Sequence, residues 1–156
     1  MHTDLILTRT DAQHPGFAHL VGLLDAELRL RNGEADAFFA SFNKIDAIPT
    51  VIVAYLDQQP VGCGAFKPYT GSTAELKRMY VLPVFRGHGI APALLAELEQ
   101  WAAELGYNSL VLETGLRMPE AIGLYQKSGY TRIPNYGQYA GIESSVCMQK
   151  SLSGRV

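Results

Sequence analysis

The segment Arg86-Gly-His-Gly-Ile-Ala-Pro-Ala-Leu-Leu95 puts one guanidinium and two glycines at the start of what otherwise reads as an amphipathic helix. Glycine is a poor helix former, so something other than helix propensity favours Gly87 and Gly89 here. A glycine-rich turn feeding a helix presents several unpaired backbone N–H groups, reinforced by the positive end of the helix dipole. Such a turn is an anion cradle. Gly87 and Gly89 let a ligand approach the backbone, Ala91 keeps the first helical turn thin, and Arg86 can add a charge-assisted bond to a phosphate. Pyrophosphate is the natural guest. The alternative is a flexible turn with an incidental arginine, and the spacing alone leaves both readings open.

The elements that must position this turn follow from the hydrophobic pattern. Residues 5–9 (LILTR) read as a first strand, and 17–30 (FAHLVGLLDAELRL) carry apolar residues at helical spacing. A second helix is expected at 34–43 (EADAFFASFN), after the Asn32-Gly33 turn. Segments 50–57 and 60–69, joined across Gln58-Gln59, form an antiparallel hairpin, and 73–82 is a third strand that Pro83 stops. From Ile90 onward, Leu94, Leu95, Leu98, Trp101, Ala102 and Leu105 form a buried stripe ending at Gly106, and 107–114 (YNSLVLET) returns as a strand. A short helix with Pro119 near its first position, the strand 131–133, a tyrosine-rich loop and a closing strand at 143–152 complete the chain. The expectation is an α/β fold: a mixed, mostly antiparallel sheet of six or seven strands flanked by about four helices.

Composition narrows the function classes. With 156 residues, 47% hydrophobic and 18% charged, the chain suits a single domain over 1–156 with a proper core. A net charge of −2, with no basic run longer than Lys77-Arg78, argues against a nucleic-acid partner. Cys63 and Cys147 lie far apart in apolar surroundings, which suits buried free thiols in a reducing cytoplasm. The N-terminal segment lacks the basic start and long apolar run of a signal peptide, and no segment reaches membrane-spanning length, so a soluble protein without a membrane partner is expected. The histidines other than His88 cluster near the N-terminus without ligand spacing, so no metal is expected. A dinucleotide-binding Rossmann domain would need Gly-x-Gly-x-x-Gly after a first parallel strand, and that pattern is missing.

Residues 81–95 (VLPVFRGHGIAPALL) resemble the acetyl-coenzyme A signature of the GNAT N-acetyltransferase superfamily, Arg/Gln-x-x-Gly-x-Gly/Ala, with Arg86, Gly89 and Ala91 in its three defined positions. The likeness continues into 121–130, which is similar to the family's second motif at Ala121, Leu124, Tyr125, Gly129 and Tyr130. With the strand 75–81 (ELKRMYV) ahead of them, the two motifs span 75–130, about a third of the chain, and the inferred order of elements is that of the GNAT fold. One departure is Met118, where the family often has an asparagine that contacts the pantetheine arm. The resemblance implies an acetyltransferase that uses acetyl-CoA as co-substrate. Met79, Tyr80 and Val81 would face the cofactor, largely through backbone, with Arg86, Gly87, His88, Gly89, Ile90 and Ala91 at the pyrophosphate. His88, in the anion turn, suits a solvent-facing or phosphate-side place better than catalysis.

Acetylating an amine needs a group to remove the ammonium proton and another to protonate the departing thiolate. Glu75 stands four residues before Met79, the offset of the family's best-known general-base glutamate, and strand alternation would put it on the face of Met79 and Val81. Its alternative is a solvated carboxylate paired with Lys77 or Arg78, with Glu113 as the substitute base. Tyr125 matches the family's thiolate-protonating tyrosine, against the plainer reading of an aromatic packed in the core. For the acceptor, Tyr136 and Tyr139 could wall an amine pocket, with Glu34, Asp36 and Asp46 attracting a cation, against ordinary surface for each. A small amine, an amino acid and a peptide terminus all remain open, as does a homodimer. The competing function is a catalytically inactive GNAT-like module that binds or senses acyl-CoA.

Overall fold

A computed structural model describes residues 4–32 and 47–152. Among the described residues, seven strands, β1 (Ile6–Thr10), β2 (Thr50–Leu56), β3 (Gln59–Thr70), β4 (Thr73–Val81), β5 (Ser109–Gly115), β6 (Thr131–Ile133) and β7 (Ser145–Ser151), lie in the order β1-β2-β3-β4-β5-β7-β6. Three α-helices occur among the described residues: α1 (Pro15–Asn32), α2 (Ile90–Glu104) and α3 (Pro119–Lys127). The expected helix at 34–43 lies outside the described residues, as do Glu34, Asp36 and Asp46. No helix among the described residues is long and apolar enough to cross a membrane.

The sheet is mixed. β4 pairs β5 in parallel, whereas β1–β2, β2–β3, β5–β7 and β6–β7 pair antiparallel. The β2–β3 hairpin turns one residue earlier than expected, on Asp57 and Gln58, whose φ values of 49° and 67° are those of a two-residue turn matched to strand twist. Two non-glycine residues in the left-handed region hide this turn from a reading based on Asn-Gly or Asp-Gly pairs.

The described residues fall into two compact units, one from 1–67 with Lys77–Leu98, the other from Pro68–Leu76 with 99–156. In the first, Phe17, Leu20, Val21 and Leu24 of α1 pack on Val51, Val53, Cys63, Ala65 and Tyr80. The other face of β3 explains the repeated glycine of 61–66 (VGCGAF). A Cβ at Gly62 would lie 3.0 Å from Leu94 Cδ1 and 3.1 Å from the Tyr80 carbonyl, and one at Gly64 would lie 2.7 Å from Leu98 Cδ1. Alternation sends Cys63 and Ala65 toward α1 and leaves the glycine positions for the close approach of α2. Helix α2 therefore sits tightly on the sheet, which fixes where its N-terminus points.

In the second unit β5 is central, bonded to Thr73–Glu75 on one side and to β7 along its whole length on the other. Its core holds Leu110, Leu112, Val146, Met148, Tyr125, Tyr130 and Tyr139. Glu99 is buried with them at 3% exposure. It accepts hydrogen bonds from Tyr130 Oη at 3.0 Å and from Lys150 Nζ at 2.9 Å. Lys150 also donates to the Ser128 carbonyl at 2.8 Å, tying the end of α3 to β7. Its spacing from Leu95 and Ala102 puts Glu99 on the apolar face of α2, a buried acid in an otherwise hydrophobic stripe. Leu105, expected in that stripe, is 55% exposed because the helix ends at Glu104.

Candidate active site

The anion turn is built by two short devices in the first unit. Leu82 N–H donates to the Val61 carbonyl at 2.9 Å, after which Pro83 opens a single 3₁₀ turn, Pro83–Phe85. Proline suits this place because its missing N–H falls where the first helical turn has no acceptor. Gly87 and Gly89 then take φ values of 82° and 83°, and a Cβ at either would meet nothing within 4 Å. Their glycine identity thus answers first to backbone conformation, since the left-handed region costs an ordinary residue about 1–2 kcal/mol. The open space above them is also what a close-lying anion needs. Helix α2 starts at Ile90, and the first bond back into the turn runs from Ala93 N–H to the Gly89 carbonyl at 3.2 Å. The N–H groups ahead of it have no intrahelical acceptor by helix geometry and lie at the positive end of the dipole.

Not every residue of this group contributes its side chain. His88 is exposed, Ala91 is half-buried, and Ile90 is 1% exposed with its Cγ2 against Gly62, so its share in the turn is its N–H. Arg86 is more committed than expected. Its Nε donates to the Val81 carbonyl at 2.8 Å and its Nη2 to Glu27 of α1 at 2.9 Å, while the guanidinium lies 5.4 Å from the Tyr80 ring centre. Arg86 therefore holds the turn against the end of β4, and Glu27 was not legible as its partner. Tyr80 belongs to the core under α1, which leaves only its backbone for a ligand; burial, followed by the Glu27 carboxylate, raises its phenol above the usual range.

Arg78 interrupts the strand alternation expected along β4. Its φ is 60°, in the middle of β4, and a left-handed residue resets strand alternation, so counting in twos from Glu75 does not assign the faces of Met79 and Val81. Arg78 is held by Asp25 of α1 at 2.6 Å, and its carbonyl accepts from the Cys63 thiol at 3.3 Å. Met79 instead packs against the Gly64 position, where an added Cβ would stand 2.5 Å from its Sδ.

In the second unit the fold gathers Glu75, Tyr136 and Tyr139. Glu75, on β4, is 3% exposed, and its Oε2 accepts the Tyr136 hydroxyl at 2.6 Å. The Tyr136 ring meets Tyr139 edge-on at 5.7 Å and Tyr69 at a tilt at 4.9 Å. Tyr139 is 1% exposed and Tyr69 40%, so the three rings run from the core to the surface. Glu75 is no solvated strand carboxylate, and Tyr69 is an addition that no local pattern marks. Burial is the first cause that raises both the Tyr136 and the Tyr139 phenols above their ordinary range; Glu75 comes second for Tyr136 and Glu113 second for Tyr139. Both hydroxyls accordingly remain protonated at neutral pH.

Glu113 lies on β5 opposite Cys147 of β7 and is half-buried. Tyr125, on α3, is 7% exposed and meets Tyr130 edge-on at 5.7 Å. Its phenol is raised by burial and then by the Glu113 carboxylate, which keeps its proton in place as a donor requires. Met118 occupies the N-cap of α3 without a side-chain cap bond, and Pro119 takes the first helical position. The first unit thus carries backbone N–H groups suited to an anion, and the second a buried carboxylate with a phenol on it and a further, protonated phenol.

The acetyltransferase (GNAT) family profile matches residues 19–130. The IAA acetyltransferase of Azospirillum brasilense is 38% identical over 102 residues, 65% of this chain and 67% of that protein. YjgM of Escherichia coli K12, an uncharacterized N-acetyltransferase, is 39% identical over 85 residues, 53% of this chain and 50% of its own. Among solved structures, one from Klebsiella pneumoniae, provisionally described as an acyl-CoA N-acyltransferase, superposes with a TM-score of 0.80 at 28% identity over 95% of this chain and 97% of that one. The PaiA N-acetyltransferase of Thermoplasma acidophilum, in complex with coenzyme A, shares the fold with a TM-score of 0.71 at 17% identity over 96% and 99%. With the profile running from α1 through both motifs to Tyr130, this chain belongs to the acetyltransferase (GNAT) family.

Proposed function

We propose that the chain, acting as one domain over 1–156, moves an acetyl group from acetyl-CoA to a primary amine by direct attack within a ternary complex. The observation that carries the reading is the pairing of two left-handed glycines with the N-terminus of α2, a backbone anion site in the sequence context of the acetyl-CoA signature. The turn from Arg86 to Ala91 would take the pyrophosphate, Arg86 shaping it from behind, and the backbone of Met79, Tyr80 and Val81 would line the pantetheine arm. Because β4 runs from Thr73 to Val81, the same strand carries Glu75.

Glu75 is the base in this reading. The ammonium loses a proton toward its carboxylate, the neutral nitrogen attacks the thioester carbonyl carbon, and the resulting tetrahedral species collapses with cleavage of the C–S bond. Tyr125 gives its phenolic proton to the leaving thiolate and regains one from the proton that the acylated nitrogen sheds, so the products are the amide and coenzyme A as thiol, with the proton taken by Glu75 returned to solvent. Tyr136 and Tyr139 supply aromatic faces near the carboxylate that suit a small amine, an amino acid or a peptide terminus. The test is a panel of alkylamines, aralkylamines, amino acids and a short peptide, assayed with acetyl-CoA for free thiol. Thiol release that depends on an amine is expected, and binding of acetyl-CoA without turnover of any acceptor would replace the enzyme by an acyl-CoA-binding module.

A further inference from the structure

Resting on the assignment of Glu75 as base, we infer that Tyr136 is a catalytic residue that relays the proton, its hydroxyl taking it from the acceptor ammonium while handing its own to Glu75. Glu75 Oε2 and Tyr136 Oη are 2.6 Å apart with the phenol donating, a distance typical of a charge-assisted O–H···O bond. The carboxylate is 3% exposed, whereas Tyr136 is half-buried and lies against Tyr69, itself 40% exposed. Tyr136 is thus the residue of the pair that keeps part of its surface. A phenolic oxygen that donates one bond keeps its lone pairs, so it can accept an N–H from an ammonium while it donates to Glu75.

The step balances without a phenolate. The N–H bond of the ammonium breaks as a new O–H bond forms on Tyr136, and the original Tyr136 proton passes to Glu75. The amine ends neutral, the tyrosine neutral and the carboxyl protonated. This order matters because burial and Glu75 both oppose ionisation of Tyr136, which rules out its acting as a free phenolate base but leaves a concerted exchange unhindered. Tyr139, edge-on to Tyr136, and Tyr69, tilted against it at 4.9 Å, hold the ring where the exchange needs it.

The test compares Tyr136→Phe, Glu75→Gln and the double variant, using whichever panel amine the wild type turns over fastest. Tyr136→Phe should lower kcat by about as much as Glu75→Gln, within the hundredfold to ten-thousandfold range of a positioned base, and the double variant should be no slower than the worse single one. Acetyl-CoA affinity should stay unchanged in all three. In single turnovers run in mixtures of light and heavy water, the wild-type rate should fall along a curve, as two moving protons require, and the residual rate of Tyr136→Phe along a straight line. Wild-type kcat in Tyr136→Phe with a slow Glu75→Gln would overturn the relay and leave Glu75 as the base. A raised KM with unchanged kcat would make Tyr136 a wall of the amine site only. Wild-type turnover by Glu75→Gln, or no turnover of any panel amine by the wild type, would overturn the base assignment or the transfer reading itself, and the relay with it.

Discussion

Replacing Gly89 by alanine separates what the anion turn costs the fold from what it does for a ligand. The residue sits at φ 83°, and a Cβ there would touch nothing within 4 Å, so alanine meets no clash within the described residues and loses only conformational preference. That loss is about 1–2 kcal/mol. For a chain of this size each kcal/mol shifts Tm by roughly 2–4 °C, so a fall of about 2–8 °C is expected. Affinity should suffer separately, because the methyl group stands where a pyrophosphate would approach the N–H groups ahead of α2. Losing one charge-assisted amide bond, about 1.5–3 kcal/mol, weakens acetyl-CoA binding by about 10- to 150-fold. Gly106→Ala is the control, since Gly106 has φ 94° and equally open space but closes the far end of α2. It should lose similar stability and no affinity. Thermal unfolding and calorimetric titration with acetyl-CoA measure the two quantities, and a folded Gly89→Ala protein with wild-type Kd would refute the pyrophosphate site.

Tyr125→Phe keeps the ring edge-on to Tyr130 and removes the hydroxyl, so turnover should fall tenfold or more, less with a thioester whose leaving thiol is more acidic; an equal loss across thioesters would reduce Tyr125 to positioning. Lys150→Met takes the ammonium away from the Glu99 carboxylate, 3% exposed, and urea unfolding should show a loss of about 3 kcal/mol, at the low end for breaking a buried pair because the Lys150 side chain is 23% exposed. Adding Glu99→Met to it should recover much of that stability, and a double variant as weak as the sum of the single ones would contradict the pairing. Burial pushes the Cys63 thiol up to about 12, so at pH 8 it remains protonated and the native protein should react with iodoacetamide there far more slowly than the unfolded chain, as mass spectrometry of the alkylated peptides would report.

Much of this protein was legible along the chain because its signals are local. The α2 stripe as far as Ala102, the strand stopped before Pro83 and the proline opening α3 each rest on the periodicity and backbone limits of a few neighbouring residues, and the structure has them in place. The glycines of the anion turn announced an unusual backbone for the same reason. Other features needed the folded chain. The shift of the β2–β3 turn to Asp57 and Gln58 and the left-handed Arg78 in β4 arise where pairing across strands overrides local preference, and Arg78 removed the alternation by which Glu75 had been aligned with Met79. Contacts between residues far apart in sequence were invisible for a simpler reason: Arg86 to Glu27, Glu99 to Lys150 and Glu75 to Tyr136 are 59, 51 and 61 residues apart. A carboxylate and a phenol read singly each look like surface or core. Only the register of β4 on β5, of β5 on β7, and the loop that carries Tyr136 bring the two within a hydrogen bond, because side-chain chemistry is set by neighbours in space.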